Sequence, residues 1–367
     1  MAIQPLAVKY RPKNFSDITE QDNIKVILQQ QLETNTIKNT YLFCGPAGDG
    51  KTTTARILAN EINKGQGNPI ELDAASNNSV DDMRELIAQA KMKSLDSEYK
   101  CFIIDECHMI TTAGWNAVLK LIEEPPAKSI FIFCTTDPQK IPKTILSRVQ
   151  RYDFKMISVK GIVTRLKYIC ETETKNIMEE MGDQDSATDI EWAREQHLPI
   201  IEYGIDTLEY IAKLADGHMR DAITMLDKCL SFSKELSLEN VVKALGTVDY
   251  DIMIKLTDCI YNGDSKEVIR IIEDIHSSGK DLKQFIKQYM QFMLECNKYA
   301  IGCEWDYISL PKLDSYIDWL STELDIRSDF YNRMLKVVID LNTDIKYSSA
   351  PKYEIESTLL LECEVKG

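Results

Sequence analysis

The chain has 367 residues, of which 44% are hydrophobic and 28% charged, and these values are ordinary for a folded protein of two or three domains. No apolar run reaches the roughly 18 residues that span a bilayer, and the first residues lack a basic region followed by an apolar one, so we expect a cytoplasmic protein with no membrane partner. Residues 1–158 carry 19 basic and 19 acidic side chains, so the whole net charge of −15 lies after residue 158. If a polyanion such as DNA binds at all, we expect local patches in the first part to bind it and the acidic remainder to repel it.

Ten cysteines are spread along the chain without any C-x-x-C pair. Zinc sites and disulfide frameworks are recognised by clustered or regularly spaced cysteines, so we expect no zinc site and mostly buried, reduced thiols. Cys44, Cys101 and Cys134 each lie in an apolar run typical of a strand, where a free cysteine behaves as a small hydrophobic residue.

The chain begins with a basic segment, residues 6–15, that we predict to be irregular. A helix follows, in which apolar residues recur at helical spacing from Ile24 to Leu32. The apolar run 41–44 then predicts a strand, and residues 53–62 predict a helix. Between them lies a complete match to the pattern G-x-x-x-x-G-K-[ST], formed by Gly45, Pro46, Ala47, Gly48, Asp49, Gly50, Lys51 and Thr52.

This phosphate loop predicts a nucleoside triphosphate site that also includes Thr53. Its glycines allow backbone conformations in which successive N–H groups point at phosphate oxygens, at the positive end of the following helix. Lys51 would reach the β and γ phosphates, and Thr52 would give its hydroxyl to a magnesium ion. The alternative is a chance glycine-rich turn, which the strand before and the helix after argue against.

A pair of carboxylates lies farther along the chain. After a helix whose start is marked by the capping pair Ser79 and Asp82, the apolar run 101–104 ends in Asp105 and Glu106. A P-loop enzyme needs such carboxylates opposite its phosphate loop. Asp105 would hold the magnesium ion through water, and Glu106 would orient or deprotonate the attacking water. The alternative is a strand that merely ends in solvated acids.

Strands and helices alternate throughout this first part. A helix over residues 114–124 is stopped by two prolines, and the next apolar run, 130–134, leads to Thr136. Together with a short strand at 70–72, this alternation predicts a parallel α/β sheet with ligand sites at the carboxyl ends of its strands. The phosphate loop, the carboxylate pair and Thr136 all fall at such ends.

Helical periodicity replaces the apolar strands from about residue 159. Residues 171–196 are strongly polar, so we predict a surface insertion or mobile loop there. Amphipathic helices continue to the end of the chain. We expect three domains: an α/β ATPase domain (1–158), a small helical lid domain (159–237) and an all-α collar domain (238–367).

Eight short sequence motifs, called phrases below, occur in an order and spacing that are together highly specific for one protein family. They are K-Y-R-P at 9–12, the phosphate loop, E-L-D-A-A-S at 71–76, I-I-D-E-C-H-M at 103–109, L-I-E-E-P-P at 121–126, T-T-D-P-Q-K-I-P at 135–142, I-L-S-R at 145–148 and G-H-M-R-D-A at 217–222. With them the chain resembles the bacterial-type clamp loader ATPases of the AAA+ superfamily, the gamma/tau subunits of DNA polymerase III. The motifs cover residues 6–250, and the helical remainder resembles the family by position and pattern.

The resemblance implies an AAA+ P-loop domain followed by a helical lid and a collar, with ATP and Mg²⁺ as cofactors. It implies that Thr136 touches the γ-phosphate or the attacking water, and that Arg220 binds phosphate in the same chain. Arg148 would be supplied in trans to the nucleotide of a neighbouring subunit, where it neutralises developing charge. Arg11 and Pro12 would help to seat the adenine.

The resemblance also implies a function. The chain would be a motor subunit in a ring of clamp loader subunits, a pentamer of identical or related chains, that opens a sliding clamp and places it on primer-template DNA. Two alternatives stay open: a scaffold subunit of the same ring that does not hydrolyse ATP, and another AAA+ DNA motor such as a branch-migration helicase.

The chain departs from the family pattern in three places. Residues 61–69 replace the usual four-cysteine zinc module, and Val149 replaces the cysteine that usually follows the Ser-Arg pair. Because the given sequence ends at Gly367, we expect a minimal motor subunit without the extension by which the longer family form contacts polymerase and helicase. The polar segment 171–196 suggests a divergent source, such as a phage or plasmid replicon.

Overall fold

The computed structural model describes residues 4–94, 96–180, 200–245, 250–279, 281–321 and 324–364. They form two compact units. The first contains the described residues up to 180 together with 211–227, and the second contains 200–210 together with the described residues from 228 onward. Within these ranges, no helix is both long and apolar enough to cross a membrane. The division into three domains with boundaries at 158 and 237 stays a prediction.

A five-stranded parallel sheet lies at the centre of the first unit. Its strands are β1 (Thr40–Cys44), β2 (Ile70–Asp73), β3 (Lys100–Asp105), β4 (Ser129–Thr135) and β5 (Gln150–Asp153). They lie in the spatial order β2-β3-β4-β1-β5, and each neighbouring pair is parallel. Since β1 and β4 are buried along their whole length, their sequences are almost continuously apolar. The predicted parallel α/β sheet is confirmed.

The α-helices described up to residue 180 are α1 (Leu6–Lys9), α2 (Asp22–Glu33), α3 (Lys51–Ile62), α4 (Val80–Lys91), α5 (Thr112–Glu123), α6 (Lys143–Leu146) and α7 (Val159–Glu180). Helices α2 and α3 pack on one face of the sheet, and α4, α5 and α6 pack on the other. The predicted capping box at α4 is confirmed: the Asp82 N–H donates to Ser79 Oγ (3.2 Å), and the Ser79 N–H donates to Asp82 Oδ2 (2.8 Å). Helix α5 ends before Pro125, as predicted.

Alternation along the strands divides the core of the first unit into two layers. Tyr41 and Phe43 of β1 pack in the layer that includes α2 and α3, whereas Leu42 and Cys44 pack in the layer that includes α4 and α5. Each face of the sheet therefore has its own helical cover, which is the arrangement that doubly covered parallel sheets require.

The second unit is mostly helical, as expected for the C-terminal region. The remaining α-helices of the described residues are Ile205–Leu214, Met219–Phe232, Leu238–Leu245, Tyr250–Asn262, Ser265–Ser277, Leu282–Ala300, Asp314–Ser321, Leu324–Asp344 and Pro351–Glu364. Two very short strands, β6 (Glu202–Tyr203) and β7 (Glu235–Leu236), pair in parallel. The largest core cluster of this unit joins the helices from residue 250 onward and includes Ile272, Tyr289 and Met334.

Of the two predictions for 171–196, a mobile loop was wrong for the first ten residues, whereas a surface insertion stays a prediction. Helix α7 continues through these ten residues, because the buried Thr174 and Met178 extend the four-residue spacing of Leu166 and Cys170. The rest of that segment lies outside the described residues.

Two smaller differences between the predictions and the structure lie near the two ends of residues 1–158. The segment 6–15 is not wholly irregular, since residues 6–9 form the helical turn α1. Strand β5 was not predicted, because only Tyr152 of its four residues is buried and such a short polar run gives no strand signal.

Candidate nucleotide-binding site

The phosphate loop connects β1 to α3 and has the backbone geometry that its glycines predict. Gly48 and Gly50 have φ angles of +75° and +97°, a region that side chains rarely adopt. A Cβ atom at Gly48 would lie 3.3 Å from Cβ of His218, so the loop packs directly beside the G-H-M-R-D-A phrase. Helix α3 begins at Lys51, and the first N–H groups of a helix, which have no partner within the helix itself, favour an anion.

The ammonium of Lys51 is held inside the loop. Lys51 Nζ donates to the carbonyl oxygens of Gly45 (2.9 Å) and Pro46 and to Asp49 Oδ1 (3.0 Å). The Asp49 side chain is 1% exposed, and its second oxygen has no hydrogen-bond partner in the described part of the chain. Burial raises the pKa of Asp49, although the ammonium of Lys51 acts in the opposite direction.

Thr52 and Asp105 meet at the edge of the site. Thr52 lies in the first turn of α3 and Asp105 ends β3, and the Thr52 hydroxyl donates to Asp105 Oδ2 at 2.7 Å. A hydroxyl and a carboxylate are oxygen ligands of the kind that Mg²⁺ takes, with water and phosphate oxygens completing its coordination. These two residues therefore fit a magnesium site.

Glu106 adopts an unusual backbone conformation. Its φ and ψ angles are 46° and 41°, in the left-handed region that residues other than glycine seldom enter. Its Oε2 atom accepts a hydrogen bond from the Thr136 hydroxyl (3.0 Å) and lies 3.3 Å from Nδ1 of His108. Because 38% of the side chain is exposed, the carboxylate can reach water from this position.

Most of the predicted binding residues line one cleft of the first unit. They are Arg11, Pro12, Ala47, Gly48, Asp49, Gly50, Lys51, Thr52, Thr53, Asp105, Glu106, Thr136 and Arg220. Gly45 and Pro46 contribute through the carbonyl oxygens that Lys51 contacts. The structure therefore brings together all of the predicted cis-acting residues; their roles stay predictions.

Other lining residues were missed by the sequence analysis. Ile18, Ile157 and Ile223 supply apolar surface to the cleft, next to Tyr10 and Arg165. The guanidinium of Arg165 donates to the Tyr10 carbonyl oxygen at 2.7 Å. Tyr10 lies in the K-Y-R-P phrase and could have been recognised, whereas a single arginine within α7 carries no such signal.

Arg148 lies outside this cleft. Its Nε atom is 2.8 Å from Glu123 Oε1, and its Nη1 atom donates to the Thr144 carbonyl oxygen at 2.7 Å. The side chain is 40% exposed, so the guanidinium is accessible from solvent. A role in trans is compatible with this position and stays a prediction.

The remaining candidates for metal binding or thiol chemistry are the His, Cys, Asp and Glu side chains outside this cleft. Among the residues that the structure describes, no group of three or more His, Cys, Asp or Glu side chains is arranged to hold a metal ion. All ten cysteines are free thiols. Burial raises the pKa of Cys44, below the phosphate loop, to about 11, so it stays protonated at neutral pH.

The strand order, with the phosphate loop after β1 and the acidic pair after β3, defines an AAA+ P-loop domain. A solved structure of a variant of the Thermotoga maritima protein RuvB has the same fold, with a TM-score of 0.50, 18% identity, and coverage of 78% of this chain and 91% of that chain. Two family models match the sequence: "DNA polymerase III, delta subunit" at residues 69–158 and "DNA polymerase III subunits gamma and tau domain III" at residues 236–364. Over nearly its whole length the chain is therefore similar to gamma and tau subunits of DNA polymerase III.

Relatives of this family match nearly the whole chain. The tau subunit of Bacillus subtilis is 31% identical, with 99% of this chain and 64% of the relative covered. The gamma/tau subunit of Mycoplasma genitalium is 31% identical, with 93% and 55% covered. The gamma subunit of Buchnera aphidicola is 27% identical, with 98% of both chains covered. The chain thus spans between about half and two thirds of the length of the first two relatives.

Proposed function

We propose that this chain is the ATPase subunit of a sliding-clamp loader, acting in the cytoplasm within a ring of related subunits. ATP bound between neighbours would order the ring and open the clamp. Primer-template DNA would then enter the ring and trigger hydrolysis and release of the clamp. The proposal is supported by the family relatives, and the observation that carries it is the meeting of Lys51, Thr52, Asp105, Glu106 and Thr136 in one cleft.

Each residue has a role that its position permits. The N–H groups of the loop and Lys51 would bind the phosphates, with Arg11 and Pro12 beside the adenine. Thr52 and Asp105 would hold Mg²⁺, which when bound neutralises phosphate charge.

The geometry of the cleft also suggests which groups would act on the attacking water. Glu106 would orient that water and accept its proton, and Thr136 would fix the direction of the Glu106 carboxylate. Arg220 would bind phosphate in its own chain. Arg148 would complete the site of the neighbouring subunit, so an isolated subunit should hydrolyse ATP slowly.

The two alternatives receive less support. A subunit that does not hydrolyse ATP would have no use for the intact carboxylate pair at the end of β3. The likeness to RuvB is one of fold alone, whereas the sequence relatives are gamma and tau subunits. Strand displacement in the absence of any clamp would support the helicase alternative.

The direct test is Glu106→Gln, assayed in the assembled ring with clamp and primer-template DNA. This change keeps the shape of the side chain and removes its ability to accept a proton. We expect hydrolysis to fall at least about 100-fold, the lower range for loss of a general base, with ADP binding retained. Glu85→Gln, at an exposed position of α4, is the matched control and should hydrolyse ATP at the normal rate.

Two results would contradict the proposal. If Glu106→Gln left the hydrolysis rate of the assembled ring unchanged, the scaffold alternative would be favoured. If the unchanged chain bound no nucleotide, the site itself would be wrongly assigned.

A further inference from the structure

Asp49 places a carboxylate in the most buried part of the phosphate loop. It lies between two glycines with left-handed φ angles, Gly48 and Gly50, and only 1% of it is exposed. A Cβ atom at Gly45 would lie 2.3 Å from Asp49 Oδ2, so the carboxylate occupies the space directly over the Gly45 α-carbon. A buried carboxylate is unfavourable unless a cation or hydrogen-bond donors compensate it.

Lys51 supplies that compensation. Asp49 Oδ1 accepts from Lys51 Nζ (3.0 Å) and from the Lys51 N–H (3.3 Å). The other two contacts of the ammonium are the carbonyl oxygens of Gly45 and Pro46. An ammonium has three hydrogens, so this set of contacts uses all of them inside the loop.

A polyphosphate would need the same ammonium. To contact a phosphate oxygen, Lys51 Nζ must leave Asp49 or be shared with it. Either way the Asp49 carboxylate loses part of its compensation while an anion arrives beside it, and both changes oppose binding. The second oxygen, Oδ2, has no other partner in the described part of the chain that could take over.

We propose that Asp49 sets the nucleotide affinity of this site: its carboxylate holds Lys51 within the phosphate loop, and a nucleoside di- or triphosphate must compete with it for the ammonium. The inference rests on the proposed nucleotide-binding function. It makes Asp49 a positioning residue that acts through Lys51. Removing the negative charge while keeping the shape should therefore tighten nucleotide binding.

The experiment measures ADP binding to the full chain by isothermal titration calorimetry, with and without Mg²⁺. We expect Asp49→Asn to lower the Kd about tenfold or more relative to the unchanged chain. Asp81→Asn is the matched control, since Asp81 lies on α4, exposed and paired with Arg84, and its loss removes the same charge. The Kd of this control should stay within about twofold. Asp49→Thr provides a second variant without the charge.

A double-mutant cycle identifies the route of the effect. In a Lys51→Ala background, the gain from Asp49→Asn should be clearly smaller, because the carboxylate then has no ammonium to hold and only its repulsion of the phosphate remains. A gain of equal size in both backgrounds would show that Asp49 acts by general charge repulsion, and would overturn the proposal.

The remaining outcomes separate this inference from the proposed function. If the unchanged chain binds ADP and both Asp49 variants bind it equally or more weakly, the inference fails and the nucleotide site stands. If neither the unchanged chain nor the variants bind ADP, the nucleotide site itself fails. Circular dichroism and thermal unfolding of the free variants report folding; failure of both to fold would assign Asp49 to folding and also overturn the proposal.

Discussion

Thr136→Val tests how the Glu106 carboxylate is directed. The two side chains have nearly the same shape, so the change removes one hydroxyl and little else. In the structure that hydroxyl donates to Glu106 Oε2 at 3.0 Å. A hydrogen bond to a charged group contributes about 1.5–3 kcal/mol. Because Glu106 is 38% exposed, water can replace part of the contact, and we take the lower end, about 1.5 kcal/mol.

The free energy of this hydrogen bond sets the expected decrease in kcat. If the hydrogen bond holds Glu106 in its reactive direction, its loss raises the barrier by about 1.4–1.5 kcal/mol and lowers kcat about tenfold. The Kd for ADP should change less than about twofold, because the Thr136 hydroxyl donates to Glu106 and not to the phosphate loop. Phosphate release from the assembled ring at saturating ATP gives kcat, and calorimetry on the subunit gives the Kd.

The control and the refuting result are equally specific. Thr34→Val removes a hydroxyl that donates to the Gln30 carbonyl oxygen at the exposed end of α2, and it should leave both quantities unchanged. Unchanged or faster hydrolysis by Thr136→Val would refute the reasoning, since the hydroxyl would then restrain Glu106 or be irrelevant to it. A tenfold weakening of ADP binding would place the hydroxyl on the nucleotide instead.

Two further predictions concern other parts of the chain. Arg148→Ala should lower hydrolysis by the assembled ring about a thousandfold while ADP binding by the separate subunit stays normal; an unchanged ring rate would contradict the role in trans. Tyr289→Phe should lower the free energy of unfolding of the second unit by about 1 kcal/mol, because the fully buried Tyr289 hydroxyl lies 3.0 Å from Thr257 Oγ1. A urea midpoint equal to that of the unchanged chain would contradict this prediction.

The sequence allowed much of the first unit to be predicted because its signals are local. Continuous apolar runs identified β1, β3 and β4, since the central residues of strands buried on both faces are mostly apolar. The phosphate loop and the Asp105-Glu106 pair then followed from their places at the ends of these strands. Strand β5 could not be found in this way, because it forms one edge of the sheet and buries only Tyr152.

The contacts within the site depend on backbone angles and on distant parts of the chain, which sequence patterns do not report. The pairing of Asp49 with Lys51 arises from the left-handed angles on either side of Asp49. The contact between Arg165 and the Tyr10 carbonyl oxygen joins residues 155 positions apart. The length of α7, by contrast, was encoded in the four-residue spacing that ends at Met178, and the polar composition around it concealed this pattern.

The left-handed backbone at Glu106 has a consequence for how the chain can change by mutation. A side chain in this region costs roughly 1–2 kcal/mol relative to its ordinary conformations, and glycine would relieve that cost. Selection for stability alone would therefore favour glycine or asparagine at this position. A functional library screened only for thermal resistance should accumulate such substitutions, whereas one screened for ATP turnover should retain the acid. The residue found at position 106 would thus show whether a population is selected for the stability of the fold or for ATP turnover.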